Sequence, residues 1–506
     1  MSDIETKKLL LLNNTIKFFE DNGRFPTNKE VESEFKIPRR TLRRYFGSLT
    51  GLIAAATEHV DEPLFTTERA ADVRKAIKSS KTFFITTAVV GAEVDMNCLS
   101  AVKNFCRRNK AQLLVLPSAD PAASVSDGLD DVLLDENIIF EEINLCNNLK
   151  ISDIKLSAKQ IMPQTGLGRF GQRNTSIIFA SPKQNLEFVS VSNNKIPHAL
   201  MTTGAITTPA YQTERYMSLR TAYIAEHDHI MGGIIVELDT NDMYHFRQVQ
   251  FDSNGSFIDL GVQYDSEGKI SKVRPSALIA GDWHVTSTCP QVKDVTDVIL
   301  NELKPQFMVL HDFFNGTSIN HHIEKKKITK AKLLNMTLSE ELELNKKELN
   351  RLKKKASLVV VKSNHDEWID RYLEECRFVD DPLNFRISLD LAAAKYDGKD
   401  PLAAYINDSD IKFLKRDEDF IIAGIQLGSH GDIEGSLLRI EKSFNKAVTA
   451  HSHSAAILRG IYRVGTSTKL REPYAQGPIS WTNTHCLVYP NGSRQLINII
   501  NGKYKR

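Results

Sequence analysis

The sequence predicts an α/β protein that is preceded by a small all-α domain. Apolar, β-rich runs at 82–90 and 111–116 flank a helical stretch at 98–109, and this strand–helix–strand order indicates a parallel α/β unit. Downstream of residue 274, at least four further apolar runs each end in a short polar segment. Open α/β sheets bind ligands at the carboxyl ends of their strands, so these segments are candidates for a functional site.

Length and composition indicate a soluble globular protein of two or three domains. The chain has 506 residues, of which 41% are hydrophobic and 25% are charged. The 65 Lys and Arg residues nearly balance the 63 Asp and Glu residues, which excludes a uniformly basic chain and an acidic disordered one but leaves room for local basic patches. No apolar run approaches ~18 residues, so no membrane helix is expected.

The N-terminal residues and the cysteines predict the compartment and the state of the thiols. The polar start MSDIETKK lacks a signal-peptide apolar stretch, and the six scattered cysteines contain no CxxC pair. Free thiols in a reducing cytoplasm are therefore expected.

We predict three domains. Residues 1–60 form a helix-turn-helix module, 61–270 a connector and a mixed α/β domain of unknown role, and 271–506 the domain with the polar segments. Within the third domain, residues 324–356 have lysines at both ends and a capping-box pattern, which predicts a protruding helical insertion. Additional strands are expected at 175–180, 186–191, 233–238 and 244–251.

The N-terminal module has a basic second helix. Thr27 and Glu30 form a capping box that opens one helix, and Pro38 marks the start of the next. That next helix contains Arg39, Arg40, Arg43 and Arg44. Arginines on an exposed helix suit phosphates and guanine edges, so we predict DNA contact. The alternative is a solvated basic face on a helical oligomerisation unit.

Five short segments concentrate the residue types that bind metals. They are Gly281–His284, His311–Asn315, Ser363–Asp366, Ser429–Asp432 and Ala450–His453. Carboxylates, an amide and imidazoles that converge at one sheet edge suit a pair of divalent ions. Two such ions ~3.5–4 Å apart stabilise both the attacking and the leaving oxygen of a phosphoryl transfer.

The ordered segments resemble the calcineurin-like metallophosphoesterase superfamily over residues 275–506. The resemblance implies a β-sandwich flanked by helices. It implies that one metal is held by Asp282, His284, Asp312 and His453, and the other by Asp312, Asn364, His430 and His451. It also makes His365 the catalytic histidine, which protonates the leaving oxygen or stabilises its charge, and Asp366 the carboxylate that orients it.

This sequence departs from the family pattern beside the ligand positions, which all survive. His311, Ser363 and Ala450 each replace a glycine, and Asn315 replaces a supporting aspartate. His321 and His322 lie just downstream; we expect them in a solvated loop, and the alternative is that they approach the site.

The combination of domains resembles that of tailed-phage nucleases that degrade host DNA. We therefore predict a metal-dependent deoxyribonuclease that hydrolyses phosphodiester bonds, in the cytoplasm of the bacterial host if the chain is phage-encoded. Manganese is the favoured ion because the ligands are mixed oxygen and nitrogen, although magnesium, iron or zinc would also fit. DNA is the expected partner, no membrane is involved, and a homo-oligomer is left open.

Two alternatives use the same motifs. A phosphomonoesterase acting on phosphoproteins or nucleotides would need the same metal core, and the basic helix at 39–44 is the feature that separates the two. A DNA-binding regulator with an inactive phosphoesterase domain is the other alternative, and the intact ligand set argues against it.

Two further motifs are interpreted as structural. Gly166–Gly171 matches GxGxxG, but a strand-like run follows it where a dinucleotide site needs a helix. Glu226–His229 is a local cluster without partners in sequence, and we predict a structural or surface role for it.

Overall fold

The computed structural model describes residues 3–22, 24–57, 67–118, 128–154, 156, 160, 162–173, 175–192, 196–211, 219–322, 328, 336–472 and 477–506. Its α-helices there are α1 (Asp3–Asn22), α2 (Asn28–Ser33), α3 (Arg39–Phe46), α4 (Leu49–Thr57), α5 (Thr67–Ser79), α6 (Met96–Asn109), α7 (Leu219–His227), α8 (Pro290–Leu303), α9 (Leu338–Leu352), α10 (Glu367–Glu374), α11 (Phe385–Tyr396), α12 (Pro401–Ile406) and α13 (Leu437–Phe444).

The strands of the same residues form four sheets. They are β1 (Thr82–Val89), β2 (Gln112–Ser118), β3 (Asn137–Ile138), β4 (Ile143–Cys146), β5 (Leu149–Ile151), β6 (Ser176–Phe179), β7 (Asn185–Val189), β8 (His198–Thr202), β9 (Gly232–Thr240), β10 (Met243–Gln250), β11 (Phe257–Asp259), β12 (Val262–Tyr264), β13 (Ile270–Lys272), β14 (Ala277–Ile279), β15 (Phe307–Leu310), β16 (Ser357–Val361), β17 (Lys412–Leu414), β18 (Ile421–Ile422), β19 (Ile425–Gln426), β20 (Ala447–Thr449), β21 (Ala456–Leu458), β22 (Ile461–Arg463), β23 (Thr484–Val488) and β24 (Arg494–Asn498). The α/β class is as predicted.

The N-terminal helix α2 begins at its predicted cap. Thr27 accepts from the Glu30 amide and the Glu30 carboxylate accepts from the Thr27 amide, which completes the predicted capping box of α2. A small apolar core made of Leu11, Val31, Leu42 and Leu52 holds α1 to α4 together.

The first sheet confirms the predicted parallel unit. Its order is β10-β9-β1-β2-β3. Strands β1 and β2 pair in parallel, and the helix α6 connects them along the chain. A separate antiparallel sheet of β11, β12 and β13 follows.

A six-stranded sheet of order β17-β16-β15-β14-β23-β24 positions the polar segments. Strands β14 to β17 pair in parallel, so their carboxyl ends meet at one edge. Both faces of this sheet are buried. Ile279, Val309 and Val359 point into one apolar cluster, whereas Leu278 and Met308 point into another cluster that includes residues of α8 and α9.

A ten-stranded sheet crosses the predicted boundary at residue 270. Its order is β18-β19-β20-β22-β21-β7-β8-β6-β5-β4, and β21 pairs with β7 through Ile457 opposite Leu186 and Leu458 opposite Asn185. Met201 and Val448 of this sheet share one apolar core with Val309 of the six-stranded sheet. The strands between 143 and 202 thus extend a sheet that also contains the strands before and after 451–453.

The helix predicted within 324–356 forms as α9 with its capping box at Thr337 and Glu340, but the prediction that this helix protrudes is wrong. Helix α9 buries Leu342, Leu349 and Leu352 completely, and the Glu341 carboxylate accepts hydrogen bonds from the amides of Thr317 and Ser318. The lysines at both ends of the segment gave no indication that the helix between them buries a row of leucines. Residues 324–327, with the first lysine run, lie outside the described residues.

The two weak motifs behave as predicted, and so do the thiols. The glycine-rich stretch leads through a 3₁₀ turn, Gly168–Arg173, to the strand β6, not to a helix. Asp228 forms buried ion pairs with Lys183 and Arg459, and His229 contacts the carbonyl of Thr207. All six cysteines are free. Among the described residues, no helix is long and apolar enough to cross a membrane.

We predict that Asp228→Asn lowers the free energy of unfolding by about 3 kcal/mol, because it leaves the ammonium of Lys183 buried beside a neutral group. The Lys183 and Asp228 side chains are each only 3% exposed. Urea unfolding measures the change. Glu142→Gln, which breaks the partly exposed pair with Lys150, is the matched control and should have a much smaller effect. Equal effects would contradict the assignment.

Candidate metal centre

The predicted metal-binding side chains follow strands that end at one edge of the structure. Asp282 and His284 follow β14, Asp312 follows β15 and Asn364 follows β16. His430 follows β19, and His451 and His453 follow β20. The amides of Trp283 and His284 donate to the carbonyls of His311 and Asp312, which joins the first two loops directly.

Several of these residues have an unusual backbone conformation. The φ angles are 42° at His284, 45° at Asp312, 75° at His451 and 57° at His453, all in the left-handed region. Such conformations cost a non-glycine residue about 1–3 kcal/mol and cluster at functional sites. Four of the seven predicted ligands therefore have backbones that the surrounding structure must hold in place.

One group of side chains surrounds Asp282. His453 Nε2 lies 3.3 Å from Asp282 Oδ2 and 3.2 Å from His284 Nε2. His284 Nε2 also lies 3.5 Å from Asp312 Oδ2. These are the four residues that the family resemblance assigns to one metal, and the structure brings them together.

A second group lies on the other side of Asp312. His430 Nε2 is 3.3 Å from Asp312 Oδ2 and 3.1 Å from Asn364 Oδ1, and His451 Nδ1 is 3.2 Å from the same Asn364 oxygen. The same Asp312 oxygen, Oδ2, therefore contacts both groups, as a bridging carboxylate would.

The unpaired atoms in this centre fit divalent cations. Both oxygens of Asp282 and Oδ1 of Asp312 are buried without a hydrogen-bond donor in bonding geometry. The imidazole nitrogens that face these carboxylates are Nε2 of His284, His430 and His453. Burial of bare carboxylates is costly unless a cation or donors compensate them. The combination of two carboxylates, an amide oxygen and imidazoles is a donor set for hard or borderline divalent metals.

The electrostatics of the centre agree with this interpretation. Burial lowers the pKa of His284 well below its usual value and that of His453 to about 4, so both rings are neutral ligands at neutral pH. Burial and then the neighbouring Asp312 raise the pKa of Asp282. Burial opposes a charge on His430, but Asp312 outweighs it and raises the pKa of His430 to about 9. A proton on His430 and a bound cation are thus alternative counter-charges for Asp312.

His365 lies at the border of the centre. One ring nitrogen lies within 4.8 Å of ligand atoms of His284 and Asp312. Nδ1 is 3.0 Å from the carbonyl oxygen of Asn315, and the ring stacks on Trp368 with centroids 4.2 Å apart. The backbone of Asn315 therefore orients this imidazole.

Asp366 makes different contacts from those that the resemblance implies. Its Oδ2 accepts from the amide and hydroxyl of Ser363, and its Oδ1 accepts from the Phe314 amide. These bonds hold two ligand loops together. The hydrogen-bond partner of the His365 ring is the Asn315 carbonyl, where the resemblance places Asp366.

Sequence reasoning missed the aromatic residues around the centre. Trp368 lies in the first turn of α10, and a Cβ at Gly316 (φ +71°) would lie 2.5 Å from Cε3 of this tryptophan. The ring centroids of His321 and His322 lie 5.1 and 5.6 Å from that of Trp368. Trp368 therefore lies between these two histidines and His365. The spacing His365-x-x-Trp368 was the available signal.

Two charged or titratable residues next to the ligands were also missed as site components. His311 is fully buried and stacks on His430 with centroids 5.6 Å apart, and burial lowers the pKa of His311 to about 3. Asp432 binds Arg416 through both oxygens. His311 thus contacts the ring of His430, and the negative charge of Asp432 contributes to the raised pKa of His430.

Comparison with known proteins finds a phage relative. The chain is 26% identical over 477 residues to Protein A1 of Escherichia phage T5, with 85% of this chain and 83% of that protein covered. No protein-family model matches the chain, and no solved structure does. The similarity extends well beyond residues 275–506 and relates the chain to a phage protein over most of its length.

We predict that Asp312→Asn abolishes binding of both metal ions, because Asp312 Oδ2 contacts both ligand groups. Metal content after dialysis against Mn²⁺, read by mass spectrometry, measures this. Chelation should lower the melting temperature of the unsubstituted protein, since metal that binds only the folded state stabilises it, but should leave that of Asp312→Asn unchanged. Asp297→Asn removes a carboxylate that pairs with Arg351 and Lys355 and belongs to neither ligand group, so it is the control and should keep both ions.

Proposed function

We propose that this protein is a metal-dependent deoxyribonuclease of the metallophosphoesterase type, which hydrolyses phosphodiester bonds of host DNA during phage infection. The observation that supports it most is the convergence of seven side chains in two groups that share one oxygen of Asp312. The similarity to a phage protein agrees with a phage context.

The centre suits phosphodiester hydrolysis in which the chain holds the substrate phosphate and moves a proton. When bound, two divalent ions supply Lewis-acid stabilisation of charge on phosphate oxygens and a nucleophile at neutral pH. Asp282, His284, Asp312 and His453 would hold one ion, and Asp312, Asn364, His430 and His451 the other. Manganese is the ion that we expect, because the donors are mixed oxygen and nitrogen.

His365 is the residue that we propose as proton donor to the leaving oxygen. The Asn315 carbonyl accepts from its Nδ1–H, which leaves Nε2 to exchange a proton with a substrate at the border of the centre. Stacking on Trp368 restricts rotation of the ring. Asp366 supports it indirectly through the Ser363 and Phe314 loops.

Helix α3 supports a DNA substrate over a small phosphoester. Its four arginines, Arg39, Arg40, Arg43 and Arg44, are all exposed, whereas Leu42 faces the small core. Arg39 lies 3.7 Å from Glu32, and its side chain is still 62% exposed. An exposed row of guanidinium groups suits the regularly spaced phosphates of a duplex.

An assay of supercoiled plasmid and p-nitrophenyl phosphate with Mn²⁺ separates the proposal from its alternatives. Cleavage of plasmid with little monoester turnover supports a nuclease. Rapid monoester turnover without plasmid cleavage would make the protein a phosphomonoesterase. DNA binding without metal and without either activity would make it a regulator.

We predict that His365→Ala reduces plasmid cleavage at least a hundredfold and keeps both metal ions, because the imidazole transfers a proton and is not a required ligand. Cleavage rates and metal content on the same samples measure this. His227→Ala removes a histidine that is 70% exposed and serves as the control. Loss of metal in His365→Ala would contradict the assigned role.

We predict that changing Arg39, Arg40, Arg43 and Arg44 together to alanine weakens DNA binding and flattens its salt dependence. Each phosphate that the variant no longer neutralises reduces the slope of log K against log salt by about 0.9. Fluorescence anisotropy between low and high salt measures both. The exposed residues Lys354, Arg386, Lys399 and Lys442, changed together, give the same change of net charge elsewhere. An unchanged slope would assign the helix to folding alone.

A further inference from the structure

A cavity of about 460 Å³ lies between strands of the middle region and the C-terminal part of the chain. Residues of β7, β8 and β10 line one side, and residues at the start of α8, at 481–483 and at 498–502 line the other. This volume is typical of small-molecule sites and fits a nucleoside. The metal centre described above does not use this cavity.

Four Phe, Tyr and Trp side chains contribute to the lining. Phe188, Tyr244 and Phe246 form a row in which neighbouring centroids are 6.4 and 6.2 Å apart. Trp481 lines the cavity from the C-terminal side. Aromatic walls favour planar heterocycles, because every nucleobase has a π-face that stacks on such rings.

The polar groups of the lining suit an uncharged ligand. Among the described lining residues there is no lysine or arginine, and Asp242 provides a negative charge, so the cavity disfavours phosphate. Asn498 is 5% exposed, and its Oδ1 accepts from the Thr484 hydroxyl at 2.8 Å. Its Nδ2 has no acceptor within bonding geometry. The amide side chains of Asn148 and Asn483 also line the cavity, and amides can donate to or accept from the edge of a base.

The cavity and the metal centre share a wall. The Trp481 ring lies 4.3 Å from the ring of His453, and the Thr482 amide donates to the His453 carbonyl at 2.9 Å. A nucleotide whose phosphate lies at His453 therefore has an aromatic cavity on the other side of Trp481.

We propose that this cavity binds an unpaired nucleobase of the substrate next to the phosphate at the metal centre. This inference rests on the proposed function and extends it, because it assigns base recognition to a cavity that the 61–270 region and the C-terminal part form together. Such a site requires a base out of the duplex stack, so it predicts a preference for single-stranded or frayed DNA.

Calorimetric titration of the Mn²⁺-loaded full chain with the four deoxynucleosides tests the proposal, since nucleosides have no phosphate to bind the metals. We expect at least one to bind, and deoxyribose not to. Gln291→Trp places a ring at the exposed rim of the cavity and should weaken nucleoside binding at least tenfold. Val298→Trp, at a position of α8 that is 44% exposed and outside the lining, is the matched control and should leave it unchanged.

The result separates this inference from the nuclease proposal. No nucleoside binding at 10 mM by a protein that cuts plasmid would overturn the base site and leave the nuclease intact. Nucleoside binding that Gln291→Trp does not weaken would also overturn it, because the ligand would then bind elsewhere. If Gln291→Trp weakens nucleoside binding but the protein cuts no DNA, the result would support the cavity site and overturn the nuclease proposal.

Discussion

Two buried carboxylates, Asp282 and Asp312, impose the main constraint on this structure. They lie in neighbouring loops at the carboxyl edge of parallel strands, and three of their four oxygens lack a hydrogen-bond donor. Burial and mutual repulsion of these two carboxylates make a positive counter-charge favourable at this site. The surrounding imidazoles, the left-handed backbones at the ligand positions and the loop contacts of Asp366 form an arrangement suited to hold such a charge in place.

The region 61–270 is structurally part of this arrangement. Strand β7 pairs with β21, which lies between the loop of His451 and His453 and the strand β22. The apolar core beneath that loop includes residues from both sides of the predicted boundary. The middle region therefore packs against the strands that flank the loop of His451 and His453. It also forms one side of the neighbouring cavity. Asp228, which pairs with Arg459, adds an ionic tie between the same two parts.

Much of the site could be predicted because each ligand is local to a strand end. The apolar run and the polar segment after it are adjacent in sequence, so the order of Asp282, Asp312 and Asn364 was readable without a structure. The position of helix α9 was predicted wrongly because burial of its leucines depends on distant residues. The lysines that flank the helix do not indicate which face is buried. The partner of the His365 ring was predicted wrongly because it is the backbone carbonyl of Asn315. Every residue has such a carbonyl, so the residue type does not reveal the contact.

The sequence by itself determined the α/β class, the parallel unit at 82–118, the capping boxes and the set of candidate ligands, because strand periodicity, cap chemistry and ligand type are local properties. Only the tertiary structure decided that Asp312 Oδ2 contacts both ligand groups and that Trp481 separates a cavity from His453. These depend on strand pairings such as β7 with β21, which join residues more than 250 positions apart. Long-range pairing is set by the fit of whole packed surfaces, which no local pattern encodes.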